Sequence, residues 1–296
     1  MPVDERNAVI VANDSATDNW TGEYAMLLAN SGGPPLAGII VNPSPYWPDL
    51  AANVAVWNDM VTAARASGLR NIPDATPSAG DALVRPADGA IESTAPNGSA
   101  GAKLIVDMSA RLGRPWRPLV VVTGSRLTDV ADAYLMDRTV ADRVVVVSAL
   151  GGAAGSGSVM GWPNGELDAW ADWIVGQRFR YIQVNGYYDQ LGDVSTAQAA
   201  TLPANPFGSW MAAKISTVLQ IPQSSDQIGV LAVGLPAFVT AVSRAVVDAS
   251  AAFDTMTGPP LVGQTDGSAW VVPSCDSAMA ADRLWKMLRD PGTFSR

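Results

Sequence analysis

The chain has no histidine among its 296 residues and a single cysteine, Cys275. Without histidine, His-ligated zinc and both Ser-His-Asp and Cys-His catalysis are excluded. One cysteine excludes an intramolecular disulfide and any metal site built from several cysteines. Any catalysis must therefore use carboxylates, amides, hydroxyls, tyrosine, lysine, the single thiol or a bound ion.

Basic residues and long apolar runs are also scarce. There are 19 Lys and Arg against 28 Asp and Glu, a net charge of −9. Phosphate binding needs clustered Lys and Arg, and no basic block occurs, so nucleic acid is not an expected partner. No apolar run approaches the roughly 18 residues of a membrane span, and the polar first residues do not match a signal peptide. We therefore expect a cytoplasmic protein without a membrane partner.

Apolar runs alternate with amphipathic segments along the chain, in which 48% of the residues are hydrophobic. The predicted strands are residues 8–12, 36–41, 119–123, 143–148 and 179–184. The predicted helices are residues 19–29, 49–67, 99–112, 128–136, 206–219, 227–235 and 276–289. Residues 238–251 fit either a strand or a helix, and residues 74–96 are predicted to be a loop. Such alternation is typical of an α/β fold, with a doubly wound, mostly parallel sheet and helices on both faces, here as one domain over residues 1–296.

Two acids, Asp14 and Asp18, follow the first predicted strand in the sequence NDSATDNW. In open parallel sheets, ligands bind beyond the carboxyl ends of the strands. A pair of carboxylates at such an end favours a hard cation, Ca²⁺ or Mg²⁺. The structural alternative is that Asp14 forms an Asx turn and Asp18 caps the following helix.

Three further acids stand in informative surroundings. Glu166 and Asp168 lie beside Trp170 and Trp173, and acids with aromatic rings can line a sugar site. The same stretch also fits the acidic start of an amphipathic helix. Asp226 precedes an apolar helix and, taken alone, fits an N-cap.

Together, and in this order, these segments resemble the nucleoside hydrolases, the Ca²⁺-dependent N-ribohydrolases of purine and pyrimidine nucleosides. The family opens with a strand ending in Asp-Thr-Asp-Pro-Gly-x-Asp-Asp, whose register here is ANDSATDN at residues 12–19. Its Thr-Gly-Pro-Leu-Thr-Asn is similar to TGSRLTD at residues 123–129, and its Met-Gly-Gly to LGG at residues 150–152. Its Glu-Phe-Asn-x-x-x-Asp-Pro is similar to ELDAWADW at residues 166–173, and its late His-Asp to Ser225-Asp226. The resemblance covers residues 9 to about 235 and implies the same fold.

The resemblance also implies a metal centre. Asp14 matches the acid that touches both the Ca²⁺ ion and the attacking water, and would be the general base. Asp18 and Asp226 match carboxylate ligands, and Thr123 matches the residue whose backbone carbonyl binds the ion. Asn19 stands where the family has another carboxylate ligand. An amide oxygen can still bind Ca²⁺, but the site loses one negative charge.

Substrate-binding residues follow from the same resemblance. Glu166 and Asp168 match the Glu and Asn that bind ribose hydroxyls, although Asp168 exchanges a donor for an acceptor. Asn42 is assigned to the sugar-binding Asn of the family, after a changed loop. Ser225 replaces the His that in some members lies near the leaving base. The aromatic candidates for walls of the base pocket are Trp47, Trp162, Tyr187 and Tyr188.

The implied activity is Ca²⁺-dependent hydrolysis of the N-glycosidic bond of a nucleoside or related N-riboside, giving base and ribose, in nucleoside metabolism and salvage. A homodimer or homotetramer is implied by analogy only. Two alternatives remain open. One is a non-catalytic ribose- or nucleoside-binding protein on the same fold, with its metal centre impaired by Asn19. The other is a hydrolase of a different N-riboside or modified nucleotide.

Overall fold

A computed structural model describes residues 1–78, 80–149, 167–184, 194–217, 226–248, 250–253 and 261–295. Within these ranges the strands are β1 Val9–Asn13, β2 Leu36–Val41, β3 Ala75–Pro77, β4 Leu119–Thr123, β5 Val144–Ala149, β6 Arg180–Val184, β7 Val239–Val247, β8 Leu261–Gly263 and β9 Ala269–Cys275. The helices there are α1 Thr21–Asn30, α2 Leu50–Ala66, α3 Ala100–Leu112, α4 Thr128–Met136, α5 Val140–Arg143, α6 Ala169–Arg178, α7 Pro206–Thr217, α8 Gln227–Gly234 and α9 Ser277–Arg289. None of these helices is both long enough and apolar enough to cross a membrane.

The strands form one sheet in the order β3-β2-β1-β4-β5-β6-β9-β7-β8. Every neighbouring pair from β3 to β9 is parallel, whereas β7 is antiparallel to both β9 and β8. The chain runs outward from β1 through β2 to β3 and then returns to place β4 on the other side of β1. The strand order therefore reverses between β1 and β4, and such a reversal opens a crevice at the carboxyl ends of the two strands.

Both faces of the sheet are covered by helices. Side chains alternate between the faces along each strand: Val11 and Val122 pack with residues of α1, α2, α7, α8 and α9, and Ile10 and Val121 pack with residues of α3, α4 and α6. Burial on both faces explains why the strand at residues 119–123 is apolar throughout instead of alternating. The predicted fold class, an α/β doubly wound and mostly parallel sheet, is confirmed.

Most element boundaries agree with the pattern of the sequence, and the differences are local. The strands at residues 36–41 and 119–123 and the helix at residues 128–136 have the predicted limits. The helix predicted at residues 19–29 begins two residues later, at Thr21. The ambiguous segment at residues 238–251 contains strand β7. The predicted loop at residues 74–96 contains the short strand β3, and strands β8 and β9 were not predicted.

Candidate functional site

Asp14 is the first residue after β1 and is buried at the crevice between β1 and β4. Its Oδ1 accepts a hydrogen bond of 2.7 Å from the backbone N–H of Ser15, as expected of a turn-forming Asp. Its backbone carbonyl accepts a bond of 2.9 Å from the indole N–H of Trp57 in α2. The turn therefore holds the carboxyl group of Asp14 at the end of the strand.

The surroundings of Asp14 raise its affinity for a proton. Burial raises the pKa of Asp14 to about 7, and the neighbouring charge of Asp18 adds to this effect, while hydrogen bonds from the Ser44 hydroxyl and the Ser15 backbone oppose it. Burial also raises the pKa of Asp18, opposed by hydrogen bonds from Asn19 and Trp47 and by the charge of Lys214. A carboxyl group that titrates near neutrality suits a general base.

Asp18 does not cap a helix. Helix α1 begins at Thr21, and Trp20 is at the N-cap position without a side-chain capping bond. The alternative in which Asp18 is the N-cap is therefore wrong. The backbone N–H of Asp18 instead closes a turn onto the carbonyl of Ser15 at 3.2 Å, which leaves its half-buried carboxylate beside Asn19 and Trp47.

Asn19 joins this loop to a distant helix. Its amide oxygen accepts bonds from the backbone N–H of Thr21 at 2.9 Å and from Nδ2 of Asn13 at 3.2 Å. Its amide nitrogen donates to Oδ2 of Asp226 at 2.9 Å and to Oδ2 of Asp18 at 3.4 Å. The nitrogen of Asn19, and not its oxygen, therefore faces the acids.

Asp226 stands at the N-cap position of α8, but its side chain makes no capping bond. Its side chain packs against Gly124, the residue that follows Thr123 at the end of β4. A Cβ atom on Gly124 would lie 2.4 Å from Cβ of Asp226, so this close approach requires glycine. Gly124 is itself bonded to β1, through its N–H and the carbonyl of Ala12 at 2.9 Å. The fold thus brings residues 14, 18, 19, 123 and 226 to one crevice.

A calcium ion takes six to eight oxygen ligands, and the donors in this crevice do not supply such a set. In the described part of the chain, no group of three or more acidic, histidine or cysteine side chains is placed to hold a metal ion. In addition, Asn19 directs N–H donors at Asp18 and Asp226, where a cation would need an acceptor. In the arrangement described, these residues do not fit calcium.

Asn42 follows β2 and belongs to a buried network of polar side chains. Its Oδ1 accepts a bond of 3.1 Å from the Ser125 hydroxyl, and its Nδ2 donates to Oδ2 of Asp129 at 2.5 Å. Asp129 also accepts bonds from the hydroxyls of Ser78 and Ser99, at 2.5 and 2.7 Å. Burial raises the pKa of Asp129, and these bonds oppose the rise. The sequence assigned no role to Asp129, although it stands where the family motif has Asn.

Asp168 caps helix α6. Its Oδ1 accepts a bond of 3.1 Å from the backbone N–H of Ala171, and its Oδ2 accepts from the N–H of Leu83 at 2.9 Å and the hydroxyl of Thr128 at 2.7 Å. The helix-start interpretation is confirmed for Asp168. Both of its oxygens bind protein groups, and its contact with a sugar stays a prediction.

Several predicted site residues cannot be placed in this crevice or elsewhere, because they lie outside the described residues. Trp47 is described, is half-buried and contacts Asp18. The predicted residues outside the described ranges are Trp162, Glu166, Tyr187, Tyr188 and Ser225.

Lys214, in α7, is a buried cation that the sequence reading missed. Its ammonium donates to Oε1 of Glu23 at 2.6 Å and to the backbone carbonyl of Asn19. It also lies 4.2 Å from the ring centroid of Trp20, within the range of a cation–π contact. The sequence feature that could have indicated it is a single lysine among apolar residues, in GSWMAAKIS.

The sequence matches no protein-family model and no curated protein. Solved structures do match. The inosine-uridine preferring nucleoside hydrolase of Bacillus anthracis is 13% identical, covering 97% of this chain and 99% of that chain, with a TM-score of 0.67. The purine-preferring ribonucleoside hydrolase of Gardnerella vaginalis is 16% identical, covering 97% and 98%, with a TM-score of 0.57. The type III effector protein XopQ, solved in complex with adenosine diphosphate ribose, is 11% identical, covering 99% and 95%, with a TM-score of 0.56.

These similarities extend over nearly the whole chain, at identities of 11–16%. The chain therefore has the fold of the nucleoside hydrolases, and the resemblance read from the sequence is confirmed at the level of the fold.

Proposed function

We propose that this chain hydrolyses the N-glycosidic bond of an N-riboside, with Asp14 as the general base. The observation that carries the proposal is the buried position of Asp14 beside Asp18 at the crevice between β1 and β4. Burial is the main cause that raises the pKa of Asp14 to about 7, and the charge of Asp18 is the second. The shared fold supports the choice of reaction, since two of the structural neighbours are nucleoside hydrolases.

The reaction follows from these groups. Asp14 takes a proton from water, the water oxygen forms a bond to the anomeric carbon of ribose, and the bond from that carbon to the base nitrogen breaks. The electron pair of that bond passes to the nitrogen, which takes a proton from solvent. Positive charge develops on the sugar ring as the base leaves, and the carboxylate of Asp18 stabilises this charge. Because the donor set described does not fit calcium, no step of this proposal passes through a metal ion.

The substrate class rests on the neighbours as a group. Two of them are hydrolases that prefer inosine and uridine or purine ribonucleosides, and XopQ was solved with adenosine diphosphate ribose. These molecules share a ribose, and in the nucleosides its anomeric carbon is bonded to nitrogen. We therefore propose an N-riboside without naming its base.

The test is a panel of ribosides that includes inosine, guanosine, uridine, cytidine and nicotinamide riboside, with release of the free base followed by chromatography. Asp14→Asn keeps the size of the side chain and removes the base, so it should lower turnover at least about 100-fold. Asp59→Asn is the matched control, because Asp59 is an exposed acid in α2. Equal turnover by the Asp14→Asn and Asp59→Asn proteins would show that Asp14 is not the base.

One observation favours a second candidate, a ribose- or nucleoside-binding protein without catalysis. The amide nitrogen of Asn19 donates hydrogen bonds to both Asp18 and Asp226. These bonds hold the two acids in fixed positions, as a binding site requires. Calorimetric titration with ribose and with each riboside separates the two candidates. Binding without release of base from any member of the panel would support the binding protein and end the hydrolase proposal.

A further inference from the structure

We infer that the acidic crevice at the ends of β1 and β4 is built to work without a divalent cation, with Asn19 and Lys214 supplying the donors and the positive charge that a cation would supply. The inference concerns the construction of the site and is independent of whether the chain hydrolyses a riboside. Its basis is the set of buried contacts around Asn19.

The hydrogen bonds that the side-chain oxygen of Asn19 accepts fix the orientation of its amide group. The backbone N–H of Thr21 can only donate, and it lies 2.9 Å from Oδ1 of Asn19, while Nδ2 of Asn13 donates to the same oxygen at 3.2 Å. Turning the amide over would place its NH₂ group against the N–H of Thr21. A buried donor left without an acceptor costs about 1–3 kcal/mol, so the oxygen stays turned away from the acids.

The amide nitrogen then links two carboxylates from distant parts of the chain. It donates to Oδ2 of Asp226, which is 207 residues away in sequence, at 2.9 Å and to Oδ2 of Asp18 at 3.4 Å. Carboxylates in a buried crevice repel one another unless a donor or a cation lies between them. The two N–H groups of Asn19 occupy that intermediate position.

Lys214 supplies the positive charge that a divalent cation would otherwise supply. Its side chain is completely buried, as is that of Glu23, and the two form an ion pair of 2.6 Å. The ammonium also donates to the backbone carbonyl of Asn19, so the cation is attached to the residue that holds the acids. The charge of Lys214 interacts favourably with the Asp18 carboxylate. A fixed ammonium beside a fixed amide thus takes the place of a mobile ion.

The test is a direct measurement of cation binding by the full chain. Wild-type protein, Asn19→Asp and the control Asn58→Asp are each titrated with Ca²⁺ by calorimetry and with Tb³⁺ by tryptophan-sensitised luminescence, for which Trp20 lies beside the site. Thermal unfolding is followed with Ca²⁺ and with EDTA. Asn58 is exposed in α2, so its variant carries the same change of charge away from the crevice.

We expect no binding by the wild type and no effect of EDTA on its midpoint of unfolding. Asn19→Asp removes the amide donors and adds a carboxylate, so it should bind Ca²⁺ with a dissociation constant of about 1 mM or tighter, with Tb³⁺ luminescence and a midpoint that rises with Ca²⁺. The Asn58→Asp protein should behave as the wild type.

Two outcomes would overturn the inference. Binding of Ca²⁺ by the wild type in the same range would show that Asn19 does not exclude the ion. A folded Asn19→Asp protein that binds neither Ca²⁺ nor Tb³⁺ would show that the amide is not what occupies the position of a cation. Should Asn19→Asp fail to fold, the wild-type titration alone still decides. None of these readouts depends on turnover, so the inference and the proposed function can fail separately.

Discussion

The turn at Asp14 is compatible with the role of general base that we propose for it, although the sequence presented the two as alternatives. One carboxylate oxygen accepts the N–H of Ser15, as in an Asx turn, and that bond sets the rotamer of a buried side chain at the crevice. A general base needs a fixed position as well as a suitable pKa. The turn therefore supports the proposed chemistry instead of competing with it, and a turn motif at a strand end does not argue against a site.

The pH dependence of turnover tests the state of Asp14. Burial, aided by the charge of Asp18, raises the pKa of Asp14 to about 7, and a base acts in its deprotonated form. We expect kcat/KM to rise tenfold per pH unit below pH 7 and to level off above it, measured from pH 5 to 9 with the riboside that is turned over fastest. A profile already flat at pH 5 would mean that the carboxylate is ionised throughout, as it would be beside a bound cation.

At the scale of elements, the sequence predicted the parallel part of the sheet and missed its antiparallel end. The strands at residues 36–41 and 119–123 can be recognised from their own residues, because a strand that is buried on both faces must be apolar throughout. Strand β9, in contrast, contains Pro273 and has exposed and half-buried positions. Its partners β6 and β7 determine that it is a strand, and such pairing is a tertiary effect that local propensity does not contain.

Some residues of the candidate site could be predicted from the sequence, and others could not. Asp14, Asp18 and Asp226 were found because short motifs place them next to predicted strands or helices. The orientation of the Asn19 amide depends on Thr21 and on Asn13, and it could not be read from residue type. Residues such as Lys214 gain their role from a helix about 190 residues away in sequence.

The ion pair between Lys214 and Glu23 joins α7 to α1, and we expect it to be energetically asymmetric. Lys214→Met leaves the Glu23 carboxylate buried without its ammonium, which should lower the free energy of unfolding by about 3–5 kcal/mol. The double variant Glu23→Leu with Lys214→Met removes both charges and should recover most of this loss. Urea denaturation measures both, with Lys103→Met, at an exposed position in α3, as the control. A double variant no more stable than Lys214→Met would contradict the prediction.

At the scale of the whole molecule, buried acids on both sides of the sheet make stability depend on pH. Asp172 in α6 packs on the face opposite α1, and its Oδ2 has no hydrogen-bond partner among the described residues. Burial, with a smaller contribution from the charge of Asp168, raises the pKa of Asp172 to about 7. The folded chain therefore holds a proton on Asp172 that the unfolded chain releases at ordinary carboxyl pKa.

The sign of the effect follows from proton binding. The folded state binds more protons than the unfolded state between about pH 4 and 7, so the stability contributed by protonated Asp172 is fully present below about pH 4 and is lost as the pH rises through 7. The burial that raises the pKa of Asp14 has the same direction. A molecule with a net charge of −9 thus becomes less stable as it becomes more negative.

Asp172→Asn tests this dependence, because asparagine has nearly the size of aspartate and carries no charge at any pH. A pKa difference of roughly three units corresponds to roughly 4 kcal/mol. The variant should therefore gain stability over the wild type by an amount of that order between pH 4 and pH 8, measured by urea denaturation across this range. The slope will not vanish, since Asp14 remains. The exposed Asp282→Asn is the matched control and should follow the wild type. If Asp172→Asn instead loses stability relative to the wild type as the pH rises, then Asp172 is ionised in the folded chain. That result would contradict the buried environment described for it.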